Sequence, residues 1–302
     1  MEKIPLICYD YIMESNVIKK ELEINGALYE YFSTRAYTPI DVYRGADAFL
    51  RIGPAQLIDT EIAMHQNLEK LDFPLAPILD EGEFEGRRYF IEKSLGDTHY
   101  GDLFAKDVSA HFDEWLRFVK SYADIQIKTA RTNTGFKEFE KTIHFEDILS
   151  ELPDMNDHLI KAMAKIESKL SSRPFVMSHN DLTPNNIFPD GIIDFERARY
   201  SPVGYDLATN IFHIFLHPTG GEYEFKRKYE FSKKQVAFYL ESFPEIKNIT
   251  GELFLCRAIW STVRMHRWPK IQKWRYDFLK KILLDIDDFL GDPQRFIMEQ
   301  TV

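Results

Sequence analysis

Cysteine is almost missing from this chain of 302 residues: only Cys8 and Cys256 occur, too few for a disulfide framework and in keeping with a reducing, cytoplasmic setting. Long apolar runs are missing too. No stretch nears the ~20 residues that a membrane span needs, and no apolar leader follows Met1, so neither a membrane span nor a secretory signal is expected. Positive charge is in deficit: the formal net charge is -10, which speaks against nucleic acid as a partner and is compatible with a cationic small molecule. Glycine is sparse, with 14 residues, and none falls in residues 33–39, a turn between two extended runs. Close backbone approach to a ligand is harder there without it. Internal repeats and low-complexity tracts do not occur.

What is present is patterning of two kinds. Residues 16–23 read as a short polar helix. Extended runs at 28–33, 40–44 and 48–52, with breakers between them, predict a meandering antiparallel sheet. Residues 56–71 read as a helix with Leu57, Glu61, Met64 and Leu68 on one stripe. Two more extended runs, 77–80 and 88–92, are joined through Glu85-Gly86. These five strands and one inserted helix make a first lobe at residues 1–94. Beyond Gly96 helical patterns dominate, at 108–128, 157–170, 207–215, 226–243, 253–267 and 274–290, while 128–145 has no assignable pattern. The expected class is α+β: an N-terminal antiparallel sheet with one helix, a hinge near residues 93–97, and a larger, mainly helical lobe at residues 95–302.

One stretch interrupts the helical lobe. Residues 178–196, S-H-N-D-L-T-P-N-N-I-F-P-D-G-I-I-D-F-E, place Asp181, Asn186 and Asp194 in one loop and a short hairpin. The apolar runs 175–177 and 192–193 read as strands, and Pro189-Asp190-Gly191 supplies turn chemistry. Two carboxylates and an amide oxygen in one small space suit a hard cation such as Mg²⁺. The plainer role for Asp181, a loop cap, is disfavoured by the spacing to Asn186 and by Asp194 downstream.

His179-Asn180-Asp181-Leu182, closed by Asn186, resembles the H-x-D-x-x-x-x-N loop of aminoglycoside phosphotransferases, choline kinases and their protein-kinase relatives. Ile193-Asp194-Phe195-Glu196 resembles the metal-binding segment of the first two groups, and Gly204-Tyr205-Asp206-Leu207-Ala208 their next helix start. The resemblance implies a protein-kinase-like fold, ATP and Mg²⁺ as cofactors, Asp181 as catalytic base, and Asn186 and Asp194 as Mg²⁺ ligands. It implies that His179 braces the loop and that Asp206 caps the next helix or ties the loop down. Glu196 either reaches metal or substrate, or holds Arg197 or Arg199.

In the first lobe the resemblance extends to Phe49-Leu50-Arg51-Ile52 and Phe90-Ile91-Glu92. It implies that Arg51, paired to Glu61, holds the ATP phosphates, and that adenine lies against the backbone of Glu92, Lys93 and Ser94. Alternatively, Arg51 is a solvated edge residue and Glu61 sits at the rim of its stripe. Glu196 stands where protein kinases have glycine, and no A-P-E segment follows, which lowers the expectation of a protein substrate. The expected partner is a small-molecule alcohol, aminoglycoside-like or choline/ethanolamine-like. Trp260, His266, Trp268, Trp274 and Tyr276, with Asp285, Asp287 and Asp288, suggest that it is cationic, unless these aromatics only pack helices. The glycine-free turn supports a different class, a nucleotide-binding pseudokinase that regulates a partner without turnover.

Overall fold

The computed structural model describes residues 19–35, 38–132, 135–265 and 267–299. Residues 16–18 of the expected first helix, Cys8, Ala36, Tyr37 and His266 lie outside them. Contacts divide the chain into two compact units, one reaching Thr60 and adding Pro77–Ser94, the other formed by Glu61–Ala76 and everything from Leu95 onward. None of the described helices is long and apolar enough to cross a membrane.

The smaller unit is a sheet of β1 (Glu21–Ile24), β2 (Ala27–Thr34), β3 (Asp41–Arg44), β4 (Ala48–Gly53), β5 (Ile78–Phe84) and β6 (Arg87–Lys93), in the order β1-β2-β3-β4-β6-β5. All neighbours are antiparallel. β1 corrects the expected polar helix. Leu22 and Ile24 are buried while Glu21 and Glu23 are exposed, a period of two, and Asn25-Gly26 closes the hairpin with φ of 53° and 78°. Two successive positive φ values make the tight turn that suits the twist of paired strands. Glu85-Gly86, at φ 51° and 76°, makes the same turn between β5 and β6. The core of this unit is Tyr29, Tyr43, Leu50, Ile52, Tyr89 and Ile91 with the two β1 residues.

α1 (Ala55–Glu69) follows the sheet's fourth strand. Its fully buried residues are Ile58, Ile62 and Leu68, while Leu57, Glu61 and Met64 are half-buried. The stripe is thus rotated from the expected one, and Glu61 lies at its rim.

The larger unit begins with α2 (Tyr100–Lys128), which starts eight residues earlier than periodicity placed it. Asp107 leaves helical geometry at φ -161° and ψ 105°, and its carboxylate accepts from the Ala110 N–H. A new helix is capped there, inside the run. The unpatterned stretch holds α3 (Phe136–Thr142) and α4 (Phe145–Glu151), too short to show a period, and α5 (Asn156–Leu170) follows. β7 (Phe175–Ser178) pairs antiparallel with β10 (Arg199–Pro202), while β8 (Ile187–Phe188) and β9 (Gly191–Ile192) form the small hairpin.

The chain closes with α6 (Tyr205–Phe212), α7 (Lys233–Ser242), α8 (Pro244–Lys247), α9 (Thr250–Val263), α10 (Pro269–Leu284), α11 (Ile286–Gly291) and α12 (Pro293–Glu299). α7 begins later than expected because Ser232 and Gln235 form a reciprocal capping box, which leaves residues 226–232 outside the helix. The core is aromatic. Trp115 of α2, fully buried, stacks on Phe231 and Tyr239 at 5.6 and 5.2 Å between centroids.

Gly204 ends the link from β10 to α6 at φ 96°, and a Cβ there would meet Ile246 Cγ2 at 2.6 Å and Leu253 Cδ1 at 3.2 Å. Both the backbone and the space demand glycine. Gly204→Ala is expected to lower the unfolding free energy by about 2 kcal/mol in chemical denaturation; an unchanged midpoint would refute this account.

Candidate active site

The loop between β7 and β8 is built on one buried carboxylate. Asp206, in the first turn of α6 and 1 % exposed, accepts four hydrogen bonds: from Tyr122 Oη at 2.8 Å, Gln126 Nε2 at 2.9 Å, and the backbone N–H groups of His179 at 2.7 Å and Asn180 at 2.9 Å. Burial pushes its pKa up, although these donors pull the other way. Four donors with no acceptor among them suit the ionised form. Of the two roles expected for Asp206, the geometry is that of tying down the loop.

Asn180 sits in the left-handed region at φ 65°, a conformation that asparagine tolerates better than most residues. Its Nδ2 donates to the carbonyls of Ser178, Arg197 and Arg199, and its Oδ1 accepts from Ser201 Oγ at 2.5 Å. This side chain pins the turn to β10. His179 accepts the Asp181 N–H at Nδ1 (3.2 Å), and its Nε2 donates to the Ile193 carbonyl at 2.8 Å. The ring therefore links the loop to the residue preceding Asp194, the bracing role expected of it. Phe195 packs against it with centroids 4.6 Å apart.

Asp181 is 30 % exposed at its side chain, and its Oδ1 accepts from Arg257 Nη2 at 2.7 Å. Burial would raise its pKa, but the charges of Arg257 and Arg197 and the Arg257 hydrogen bond outweigh burial and hold the carboxyl below the usual range. Asn186 Nδ2 donates to the Asp181 backbone carbonyl at 2.9 Å. That bond sets Asn186 Oδ1 as the atom left to coordinate. Asp194 stands two residues past the end of β9, at φ 66°. The hairpin that carries it is seated by the Ile192 N–H, which donates to Pro74 O at 2.8 Å, and a Cβ on Gly191 would come within 2.8 Å of that same oxygen.

Among the described residues, no group of three or more His, Cys, Asp or Glu side chains is set to hold a metal. One amide oxygen and one carboxylate, Asn186 and Asp194, fit Mg²⁺, which keeps several positions for water and phosphate.

In the smaller unit Arg51 and Glu92 form a buried ion pair, with Nε and Nη2 both 2.6 Å from Oε1 and side chains 7 % and 9 % exposed. Arg51 is therefore no solvated edge residue. It lies opposite Phe90 across β4 and β6, and Glu92 lies opposite Phe49, so the pair is a diagonal contact on one sheet face. The Lys93 N–H donates to Pro77 O and the Ser94 N–H to Asp47 O, at 2.9 and 2.8 Å. Both amides are committed within their own unit. Glu196 lies 3.5 Å from Arg197, one of the neighbours expected for it.

The residues expected at the acceptor end have partners of their own. Trp274 stacks on Phe278, Trp268 packs edge-on to Phe225, and Tyr276 bonds Glu151. Asp287 pairs with Lys161 and Lys165, and Asp288 with Arg295. Trp260 faces Arg257, Arg197 and Arg264. Sequence reasoning missed Arg257, Tyr122 and Gln126. A signal existed for Arg257, a lone charge in the run L-F-L-C-R-A-I (residues 253–259), because a buried guanidinium requires a partner.

The profile of the phosphotransferase enzyme family (APH) matches residues 38–231. Among curated proteins, no sequence matches significantly. Solved structures with a similar fold include a thermostable mutant of aminoglycoside phosphotransferase APH(4)-Ia in its apo form, at 15% identity and TM-score 0.59 over 85% of this chain and 94% of that one. A ternary complex of such a mutant with ADP and hygromycin B matches at 14% identity and TM-score 0.57, covering 84% and 92%. ADP-bound APH(2'')-Ib matches at 16% identity and TM-score 0.51, covering 87% and 91%.

Because Arg257 depresses the Asp181 pKa, that pair stabilises the fold fully above the usual carboxylate pKa of about 4, and the contribution is lost as pH falls through the depressed value. Denaturation of wild type and Arg257→Gln is expected to show a stability gap that is constant at neutral pH and shrinks below about pH 4. A gap independent of pH would remove Asp181 as the partner that matters.

Proposed function

This chain belongs to the phosphotransferase enzyme family, and we propose that it transfers the γ-phosphoryl group of ATP to the hydroxyl of a small molecule, with Asp181 as the catalytic residue. The observation that carries this reading is the pair of contacts on Asp181. Arg257 occupies Oδ1, and Asn186 holds the backbone carbonyl.

With Oδ1 taken, Oδ2 is the oxygen that receives the acceptor hydroxyl. In the reaction the acceptor oxygen bonds to the γ-phosphorus, the bond to the bridging oxygen breaks, and ADP leaves with that electron pair. The hydroxyl proton passes to Asp181 Oδ2. A carboxylate held below its usual pKa is a weak base, but phosphoryl transfer runs through a loose transition state in which the nucleophile needs little deprotonation. Alignment of the hydroxyl is then the main contribution of Asp181, and proton transfer comes late. Asn186 and Asp194 are the residues that would hold Mg²⁺, whose charge offsets the charge on the phosphate oxygens.

In the smaller unit, Arg51 is our candidate for the phosphates, oriented by Glu92 rather than left to swing. The two bonds to Glu92 fix the plane of a guanidinium whose fork of donors matches phosphate oxygens. Glu61, half-buried on α1, stays a candidate for the same work. Adenine contacts along Glu92, Lys93 and Ser94 would rely on carbonyl groups, since the amides of Lys93 and Ser94 are already donated.

With ATP and Mg²⁺, coupled ADP release over a panel of small alcohols is expected to detect transfer. Asp181→Ala should reduce kcat by about 10²- to 10⁴-fold, and Asp194→Ala should abolish the Mg²⁺-dependent rate while the fold persists by circular dichroism. A wild type that binds ATP and turns over no alcohol would instead identify a regulatory pseudokinase.

A further inference from the structure

Asp194 holds a backbone conformation that is uncommon for a residue with a side chain, at φ 66°. Such a conformation persists only where the surroundings enforce it. Here they do so on both sides. Before it, the Ile193 N–H donates to the Asn186 carbonyl at 3.1 Å, and the Ile193 carbonyl accepts from His179 Nε2 at 2.8 Å. After it, the buried Phe195 ring touches two others: His179, with centroids 4.6 Å apart, and Phe73, edge-on at 6.1 Å.

Phe73 comes from a segment outside every motif of the sequence, the link that follows α1, and this link belongs to the same compact unit as the hairpin. Leu75 of the link forms a parallel bridge with Ile192, and the Pro74 carbonyl accepts the Ile192 N–H at 2.8 Å. The link thus adds a third run to β8 and β9, which have two residues each and as an isolated pair would be marginal. Gly191 records how close that third run lies. Its φ is not positive, so its conformation does not call for glycine, yet a Cβ there would meet the Pro74 carbonyl oxygen at 2.8 Å and Leu95 Cδ1 at 3.0 Å. A strand glycine of this kind marks the close approach of another backbone. The link is itself fixed at both ends. The Phe73 N–H donates to Leu68 O at 3.2 Å, and His65 Nε2 donates to Ala76 O at 2.7 Å. The buried Phe73 ring also packs edge-on to Tyr122 at 5.6 Å, the residue that donates to Asp206.

We propose that Phe73 and Gly191 are positioning residues for the metal site: the link at residues 73–76 seats the hairpin and, through Phe195, keeps Asp194 in the left-handed conformation in which it serves Mg²⁺. This rests on the assignment of Asn186 and Asp194 to Mg²⁺ and deepens it. Without the Phe73 ring, Phe195 gains space to turn, and the left-handed residue before it relaxes to an ordinary φ. The carboxylate then leaves its place. With a Cβ on Gly191 the hairpin has to back away from a carbonyl oxygen, an atom of the main chain that cannot rotate aside as a side chain would. Asp194 and Asn186, at the two ends of the hairpin, shift with it.

The test uses the full chain and follows Mn²⁺, a paramagnetic substitute for Mg²⁺, by electron paramagnetic resonance in the presence of ADP, with thermal unfolding measured alongside. Phe73→Ala and Gly191→Ala should each weaken Mn²⁺ binding by about 10- to 100-fold, the scale for groups that orient metal ligands. Phe73→Leu, which keeps much of the volume, should recover part of the loss. Phe254→Ala is the control, a buried ring whose partners are Phe212, Phe278, Phe289 and Phe296. It should lower the unfolding midpoint and leave Mn²⁺ affinity unchanged. Unchanged affinity in folded Phe73→Ala and Gly191→Ala, or a loss no larger than in Phe254→Ala, overturns the proposal and reduces Phe73 to core packing. If Asp194→Ala leaves Mn²⁺ affinity unchanged, the metal assignment itself falls, and the positioning role with it. If Phe73→Ala does not fold, Gly191→Ala decides, and if neither folds, Phe73→Leu against Phe254→Leu decides by the same comparison.

Discussion

The geometry of the site depends on one buried carboxylate. Asp206 holds two consecutive backbone N–H groups, those of His179 and Asn180, and is itself held by Tyr122 and Gln126 of α2. Without such an acceptor, a turn with a left-handed Asn180 would bury two unpaired amides, an arrangement that folded chains rarely tolerate. The same bonds leave Asp181 projecting from a loop that cannot drift. Asn180 fastens the turn to β10 and His179 fastens it to the residue before Asp194. The candidate base and the candidate metal ligand are thereby connected through the side chains of Asn180 and His179.

Arg257 adds a second constraint. A guanidinium 3 % exposed needs a counter-charge, and the available one is the candidate base. The pairing orients Asp181 and lowers its basicity together. This combination works only for a reaction in which aligning the nucleophile matters more than removing its proton, as in phosphoryl transfer through a loose transition state. The structure and the proposed chemistry support one another here.

The distribution of legible and illegible features follows the range of the forces involved. Short-range rules were readable: the extended runs of the sheet, α1, α5 and the hairpin around Asp190 stand near where pattern and turn chemistry placed them. β1 was readable as well, through the Asn25-Gly26 turn and the alternation of Leu22 and Ile24, but the polar residues before it suggested a helix. α3 and α4 left no trace because seven residues span two turns, too few to establish a period. The break at Asp107 is invisible to periodicity, since both of its halves are helical.

The sequence by itself determined the class of fold and the content of the loop from His179 to Asp194, because motif spacing along a short loop translates directly into proximity. Membership of the phosphotransferase enzyme family rests on residues 38–231, which include that loop. Only the tertiary structure decided that Glu92 pairs with Arg51, that Arg257 meets Asp181, and that Trp260 lies among guanidiniums. Those choices join residues 41 and 76 positions apart or converge from separate elements. Electrostatic pairing in a folded interior is set by burial and direction, which no local pattern records.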